Sequence, residues 1–242
     1  MEVVAGGGLL ALQGPTAVDV MARLCPDVDF SQIAFMSGHQ MNIDGRDCFV
    51  TRSGYTGEDG FEITVAADDA ESLASQLLEQ PEVLPVGLGA RDSLRLEAGL
   101  CLYGNDIDDT TTPAEAVLMW TVGKRRRAEG GFPGHEVIMK QFKDKSATRK
   151  RVGFVCEPAE GAKKARPARS GSNVFNADGE QVGVVTSGVQ SPCLGKPLGM
   201  AYVQSQYQKA GNELLVDVGG KMQPLIVTKM PFTPANYYRG PE

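Results

Sequence analysis

Apolar and polar side chains alternate strictly along Phe61–Val65. Because successive side chains of a strand point to opposite faces, the three apolar residues share one face and Glu62 points from the other. A second predicted strand, Cys48–Arg52, is joined to the first by a turn with glycines at 54, 57 and 60, which we expect to have positive backbone angles. This hairpin would present Glu62 beside Tyr55, a pair that suits a flat polar ligand. A solvated hairpin tip is the alternative.

Three helices and one more strand are predicted around this hairpin. Leu9–Gln13 predicts a buried strand, and a helix follows with Pro15 at its first position. The apolar stripe predicted for that helix is Val18, Met21, Ala22 and Cys25. A second helix is expected to be capped by the two aspartates at 68 and 69 and to end near Pro81. Its predicted inward residues are Leu73, Leu77 and Leu78.

The third predicted helix is short and carries two arginines. It spans Gly89–Gly99, and Arg91 and Arg95 lie four residues apart on one face. Asp92 and Glu97 could pair with them. A surface ion-pair cluster is therefore the alternative to a ligand-binding role for Arg91.

A capping-box pattern at Thr112–Glu115 predicts a further helix through Trp120. Gly123 would end that helix in a left-handed conformation, and Lys124–Arg127 would place positive charge at its negative end. The same basic run could also meet an acidic ligand tail or partner. The polar segment Gln141–Lys150 is the predicted linker to the last third of the chain.

From residue 149 onward the pattern changes to short alternating strands without helices. Turn signals at Ala177–Gly179 and Gly219–Gly220 mark tight hairpins. Such a run indicates a small barrel or jelly roll. The predicted strands are Val152–Cys156, Asn173–Phe175, Gln181–Thr186, Gly199–Val203, Glu213–Val218 and Gln223–Thr228.

Composition excludes several classes of function. The 242 residues carry a net charge of −6, which argues against nucleic acid as the main partner despite basic clusters at 124–127 and 163–169. The five cysteines lack C-x-x-C spacing, which fits a reducing compartment, and the two histidines lie near no metal motif. We therefore expect no metal. We also expect no membrane segment and no leader at Met1.

Taken together, these motifs resemble the T-protein family of the glycine cleavage system, the aminomethyltransferases. The matching sequence blocks cover almost the whole chain and occur in the same order as in the family. Its blocks are Leu9–Pro15, Arg52–Glu62, Ala90–Leu100, Leu102–Ile107, Thr112–Glu115, Gly123–Arg127 and Lys229–Tyr238.

The resemblance implies an α+β fold, with a complete six-stranded barrel or jelly-roll domain after partial first and middle folate-binding α+β domains. We expect the later part of the first domain at 1–98, a remnant of the middle domain with a linker at 99–147, and the barrel at 148–242. Family members are longer, and their catalytic aspartate would lie upstream of this chain. No residue here is assigned that catalytic role, and the chain alone is expected to be inactive.

The resemblance also implies a reaction and its partners. The family takes an aminomethyl group from the lipoyl arm of H-protein, releases ammonia and passes the one-carbon unit to tetrahydrofolate. It implies the mitochondrial matrix, with no nucleic acid and no membrane partner. Glu62 would accept paired donors from the pterin, Tyr55 would contact its ring, and Arg91 would orient a carboxylate or carbonyl. Tyr237 would pack on the folate, and secondary candidates are Tyr103 and Trp120, with a core position the alternative for Trp120.

Three other readings compete with this one. A non-catalytic folate-binding assembly factor for iron–sulfur clusters would carry a K-G-C-Y-x-G-Q-E motif, whereas Cys101–Ile107 reads C-L-Y-G-N-D-I. A folate domain of a dimethylglycine or sarcosine dehydrogenase would be joined to a flavin module, and no flavin fingerprint is present. An inactive truncated product is the last alternative.

Overall fold

The computed structural model describes residues 6–241, which form two compact units. The described part of the first unit is 6–98 together with 234–241, and the second unit is 99–233.

A four-stranded antiparallel sheet is the centre of the first unit. Its strands are β1 (Gly7–Gln13), β2 (Gly38–Ile43), β3 (Arg46–Thr51) and β4 (Gly60–Ala66), in the spatial order β1-β4-β3-β2. The alternation predicted for β4 is confirmed, because its three apolar side chains are buried and Glu62 lies on the opposite face. Glu62 is paired with β1 on one side and β3 on the other, so its position is fixed from both edges.

Three helices accompany the sheet: α1 (Ala17–Leu24), α2 (Ala67–Leu78) and α3 (Leu88–Glu97). The first two cover the apolar face of the sheet and form one core with it. Four details differ from the sequence prediction. Ala66 precedes α2, and the two aspartates at 68 and 69 lie inside its first turn without capping it. Thr16 is the residue that precedes α1, so Pro15 lies outside the helix. Its buried face is Ala17, Val20 and Met21, with Ala22 exposed, and Leu78 of α2 is half exposed.

The second unit contains the predicted six-stranded barrel. Its strands are β5 (Arg149–Cys156), β6 (Asn173–Phe175), β7 (Gln181–Gln190), β8 (Pro197–Gln204), β9 (Glu213–Asp217) and β10 (Met222–Thr228). All six strands are antiparallel, and the sheet closes in the order β10-β5-β8-β7-β6-β9. Closure leaves no unpaired strand edge, and the inward side chains form a separate core.

The helix predicted from the capping box is wrong. The two reciprocal bonds of the box do form, from the Thr112 amide to Glu115 and from the Glu115 amide to Thr112 Oγ1. The chain then makes only turns and a 3₁₀ helix at Met119–Thr121, because Val117 adopts a positive φ of 59° that no α-helix can contain. Local capping bonds are thus present without helix propagation.

The basic run belongs to a helix of its own. It forms the start of α4 (Lys124–Glu129), and Gly123 has a φ of −54° rather than the expected left-handed value. The predicted linker is also shorter than expected, since α5 (His135–Asp144) continues into it and β5 begins at Arg149.

Candidate active site

The first unit contains a cavity of about 510 Å³ that brings three of the predicted site residues together. Tyr55, Glu62 and Arg91 all line it. The cavity also takes apolar walls from β1, α2 and the segment 83–86. Its volume falls in the range of small-molecule sites, which are mostly apolar with a few placed polar groups.

Glu62 is held by a chain of two hydroxyl groups, one at the end of β3 and one in the loop that follows it. Ser53 Oγ lies 2.6 Å from Glu62 Oε2 and donates to it, and Thr51 Oγ1 lies 2.8 Å from Ser53 Oγ. A carboxylate offers about four acceptor positions, so the bond from Ser53 leaves Glu62 able to accept further donors from a ligand. The two hydroxyl groups fix the direction of the carboxylate before any ligand arrives.

The loop that carries Tyr55 is fixed by close packing more than by backbone angles. Of its three glycines only Gly57 has a positive φ, 84°; the expectation for Gly54 and Gly60 was wrong. Those two are glycines because the side chain of Gln13 lies against them. A Cβ at Gly54 would overlap Gln13 Oε1, and one at Gly60 would lie 2.5 Å from that oxygen.

The segment 234–241 holds the far side of the same loop. The Asn236 amide donates to the Gly57 carbonyl at 2.8 Å, and Asn236 Nδ2 donates to Glu58 Oε1 at 2.7 Å. Two neighbouring residues of the loop are therefore anchored close to Tyr55.

The two arginines of α3 have different surroundings. Arg95 is 2% exposed, and its Nε donates to Asp92 at 2.9 Å. Arg91 is exposed at the cavity, and within residues 6–241 it forms no ion pair. The ion-pair alternative thus describes Arg95, while the guanidinium of Arg91 remains available to a ligand.

Three other predicted residues are not among those that line the cavity. Tyr237 stacks on Phe35 with ring centroids 4.1 Å apart and an interplanar angle of 18°, and burial raises the pKa of its phenol. Tyr103 and Trp120 belong to the second unit and are 70% and 76% exposed, so the core alternative for Trp120 is wrong.

Carboxylates outnumber cations among the charged residues that line the cavity. Glu58, Glu62 and Glu82 contribute to its lining, against the single cation Arg91. A hydrogen bond from Arg23 lowers the pKa of Glu82, so this carboxylate remains ionised at neutral pH. The arrangement favours a ligand that presents several N–H donors and one acceptor or anionic group.

Sequence reasoning missed a buried arginine next to the site. Arg52 is 3% exposed and donates from Nε to Asp59 Oδ1 at 2.9 Å and from Nη1 to the carbonyls of Phe30 and Ile33. Its guanidinium lies 4.1 Å from the ring centroid of Tyr238. The signal was an arginine and an aspartate at either end of the glycine turn; the carbonyl partners could not be read from the sequence.

Metal ligation and membrane crossing find no support in the described residues. No group of three or more His, Cys, Asp or Glu side chains in 6–241 could hold a metal ion. Over the same range, every helix is too short or too polar to cross a bilayer.

The described chain thus combines an α+β unit that has a cavity of ligand size with a closed six-stranded barrel. Residues 2–126 match the family model described as GCVT N-terminal domain, and residues 149–233 match the glycine cleavage T-protein C-terminal barrel domain. The chain belongs to the glycine cleavage T-protein family of aminomethyltransferases.

Curated relatives and a solved structure agree with that membership. The chain is 53% identical to "Aminomethyltransferase, mitochondrial" of Canis lupus familiaris over 98% of its own length, and 51% identical to the protein of that name in Homo sapiens over 97%. It is also similar to the crystal structure of the glycine cleavage system aminomethyltransferase T from Bartonella henselae, with 41% identity and a TM-score of 0.86 over 96% of this chain.

The chain spans just over half the length of these relatives. It covers 57% of the dog protein, 56% of the human protein and 61% of the Bartonella chain.

Proposed function

We propose that this chain supplies the pterin-binding wall of a glycine cleavage aminomethyltransferase. The reaction moves the one-carbon unit from aminomethylated lipoyl H-protein to tetrahydrofolate and releases ammonia. Family membership supports the reaction class, and the cavity supports the ligand. We assign no residue of this chain to the role of the family's catalytic aspartate.

The observation that carries the proposal is the convergence of Tyr55, Glu62 and Arg91 on one cavity. The three residues come from a loop, a strand and a helix. Each has the chemistry that a reduced folate needs: a carboxylate for adjacent N–H donors, an aromatic ring for the flat pterin, and a planar cation for a carbonyl or carboxylate.

In this proposal Glu62 orients the pterin ring through paired hydrogen bonds. Ser53 already donates to one oxygen of Glu62, so the carboxylate loses little conformational freedom when the ligand binds. The apolar walls exclude water from the ring and strengthen those bonds. Arg91, which is exposed at the cavity, orients the more polar end of the ligand.

The proposal extends to partners and location. Lipoylated H-protein is the proposed protein partner, and the mitochondrial matrix is the proposed location, in line with the names of the relatives. The division into a first domain, a middle remnant and a barrel remains part of the proposal, as does the contact of Tyr237 with folate.

Calorimetric titration with tetrahydrofolate under reducing, oxygen-free conditions tests the proposal. Glu62→Gln keeps the shape of the side chain but places an N–H₂ group where the pterin also presents donors. A donor left unmatched in a buried site costs about 1–3 kcal/mol, so tetrahydrofolate should bind about 5- to 150-fold more weakly. Glu71→Gln on the exposed face of α2 is the matched control, because it removes the same charge outside the cavity.

Two results would contradict the proposal. One is wild-type protein that is folded but shows no heat of binding for tetrahydrofolate at millimolar concentration. The other is equal dissociation constants for wild type and Glu62→Gln, which would move the pterin away from Glu62.

A further inference from the structure

The last residue of β1, Gln13, connects the two backbone segments that flank Glu62. We propose that Gln13, which also lines the cavity, is a positioning residue that sets the direction of the Glu62 carboxylate and acts on the pterin through Glu62. The consequence for folate rests on the proposed function; the geometric part stands on the contacts of Gln13 alone.

The side-chain amide of Gln13 bridges the loop that follows β3 and strand β4. Its Nε2 donates to the carbonyl of Ser53 and to the carbonyl of Phe61, both at 3.1 Å. The partners are 40 and 48 residues away along the chain. Because both partners are acceptors, the nitrogen must be the end of the amide that faces them.

The other end of the amide is buried at a cost. Within the described residues, Gln13 Oε1 is buried and has no hydrogen-bond partner. It lies between Gly54 and Gly60, where a Cβ on either residue would collide with it. Buried polar atoms are rarely left unpaired, and an exception calls for a reason. Two glycines that make room for one amide indicate that the site is built around Gln13.

The geometry gives that reason. Ser53 is the residue whose hydroxyl donates to Glu62 Oε2 at 2.6 Å, and Phe61 precedes Glu62 in β4. By holding the carbonyls of both residues, one amide fixes the spacing across the Ser53–Glu62 hydrogen bond. Without the Gln13 amide, the carbonyls of Ser53 and Phe61 would lose the donor that they share, and this spacing would no longer be fixed.

The main test is Gln13→Met, which preserves length and removes the two donors. We expect tetrahydrofolate to bind about tenfold more weakly, as for the loss of one well-placed charged hydrogen bond. In a Glu62→Gln background the same substitution should change affinity less than about twofold, because Gln13 acts through Glu62 and coupled residues are not additive. Equal effects in both backgrounds would overturn the inference.

A matched control separates positioning from stability. Ile43 is fully buried in β2 and does not line the cavity, so Ile43→Val lowers the melting temperature of the same unit without altering Glu62. We expect unchanged tetrahydrofolate affinity for Ile43→Val. If Ile43→Val weakens binding as much as Gln13→Met does, Gln13 is only structural.

A structural readout distinguishes failure of this inference from failure of the proposed function. In a crystal structure of Gln13→Met, the Ser53 Oγ–Glu62 Oε2 distance should exceed about 3.5 Å, the limit of a hydrogen bond; an unchanged distance overturns the inference whether or not folate binds.

If Gln13→Met does not fold, Ser53→Ala takes its place, because it keeps the two hydrogen bonds of the Gln13 amide and removes only the hydroxyl. Ser53→Ala should weaken tetrahydrofolate binding to a similar extent, and unchanged affinity would also overturn the inference. A wild-type protein that ignores tetrahydrofolate refutes the proposed function alone.

Discussion

Arg52 offers the sharpest stability prediction, because it is a buried cation with several defined acceptors. Replacement by methionine keeps most of the side-chain volume and removes every donor. Within residues 6–241, Asp59 then keeps its charge with only the Gly60 amide, 3.0 Å away, as a side-chain partner. The carbonyls of Phe30 and Ile33 also lose their donor.

The expected loss follows from these contacts. Removing one partner of a buried ion pair costs about 3–5 kcal/mol. The Asp59 side chain is 14% exposed, and water can therefore solvate part of its charge. We accordingly expect Arg52→Met to lower the free energy of unfolding of the first unit by about 3 kcal/mol. Arg52→Lys should lose less, because it keeps the charge, yet it cannot reproduce the two-pronged contact with Asp59.

Hydrogen exchange measured by mass spectrometry is the suitable assay. Two compact units need not unfold together, so a single melting curve would mix their transitions. Peptides from β3 and β4 of Arg52→Met should exchange faster through the globally opened state, while peptides from the barrel should match wild type. If the opening free energies derived from exchange in β3 and β4 lie within about 0.5 kcal/mol of the wild-type values, Arg52 contributes no more than a surface ion pair does, and the prediction is wrong.

Three further predictions concern the site and the thiols. Arg91→Lys should weaken tetrahydrofolate binding and leave the melting temperature unchanged, since Arg91 is exposed and forms no ion pair in the described chain. A variant with both weaker binding and a lower melting temperature would indicate a structural role for Arg91. Tyr237→Phe keeps the ring and should bind tetrahydrofolate like wild type, whereas Tyr237→Ala should bind more weakly, and equal affinity for all three proteins would exclude a ring contact. Burial raises the pKa of the thiols of Cys25, Cys48 and Cys156 from 9.0. Each thiol therefore loses its proton at a lower pH in the unfolded chain than in the folded one, so under reducing conditions the urea midpoint should fall as pH rises above about 9. A variant with these three cysteines changed to alanine should show a smaller fall of the midpoint between about pH 8 and about pH 10. A fall equal to that of wild type would contradict the prediction.

Patterns of short range could be predicted well from the sequence. The alternation in β4 placed Phe61 on the buried face and Glu62 on the other, because a strand has a fixed period of two. The barrel strands followed from the same rule combined with turn residues. Both features depend on neighbours within a few positions.

Features that depend on distant partners could not be predicted. The capping box at Thr112 formed its local bonds, but Val117 adopts a positive φ and the chain turns away instead of continuing as a helix. Gln13 and Arg52 derive their roles from carbonyls up to 48 residues away. No periodicity records which carbonyl a side chain will meet, so the residues that support Glu62 were not identified before the fold was known.

The most direct test of the central claim is a nuclear magnetic resonance titration of the isotope-labelled chain with tetrahydrofolate. We expect the first and largest chemical-shift changes at Tyr55, Glu62 and Arg91 and at the cavity walls around them. Changes confined to residues 99–233, or saturation of the protein with no change at Glu62, would contradict the central claim.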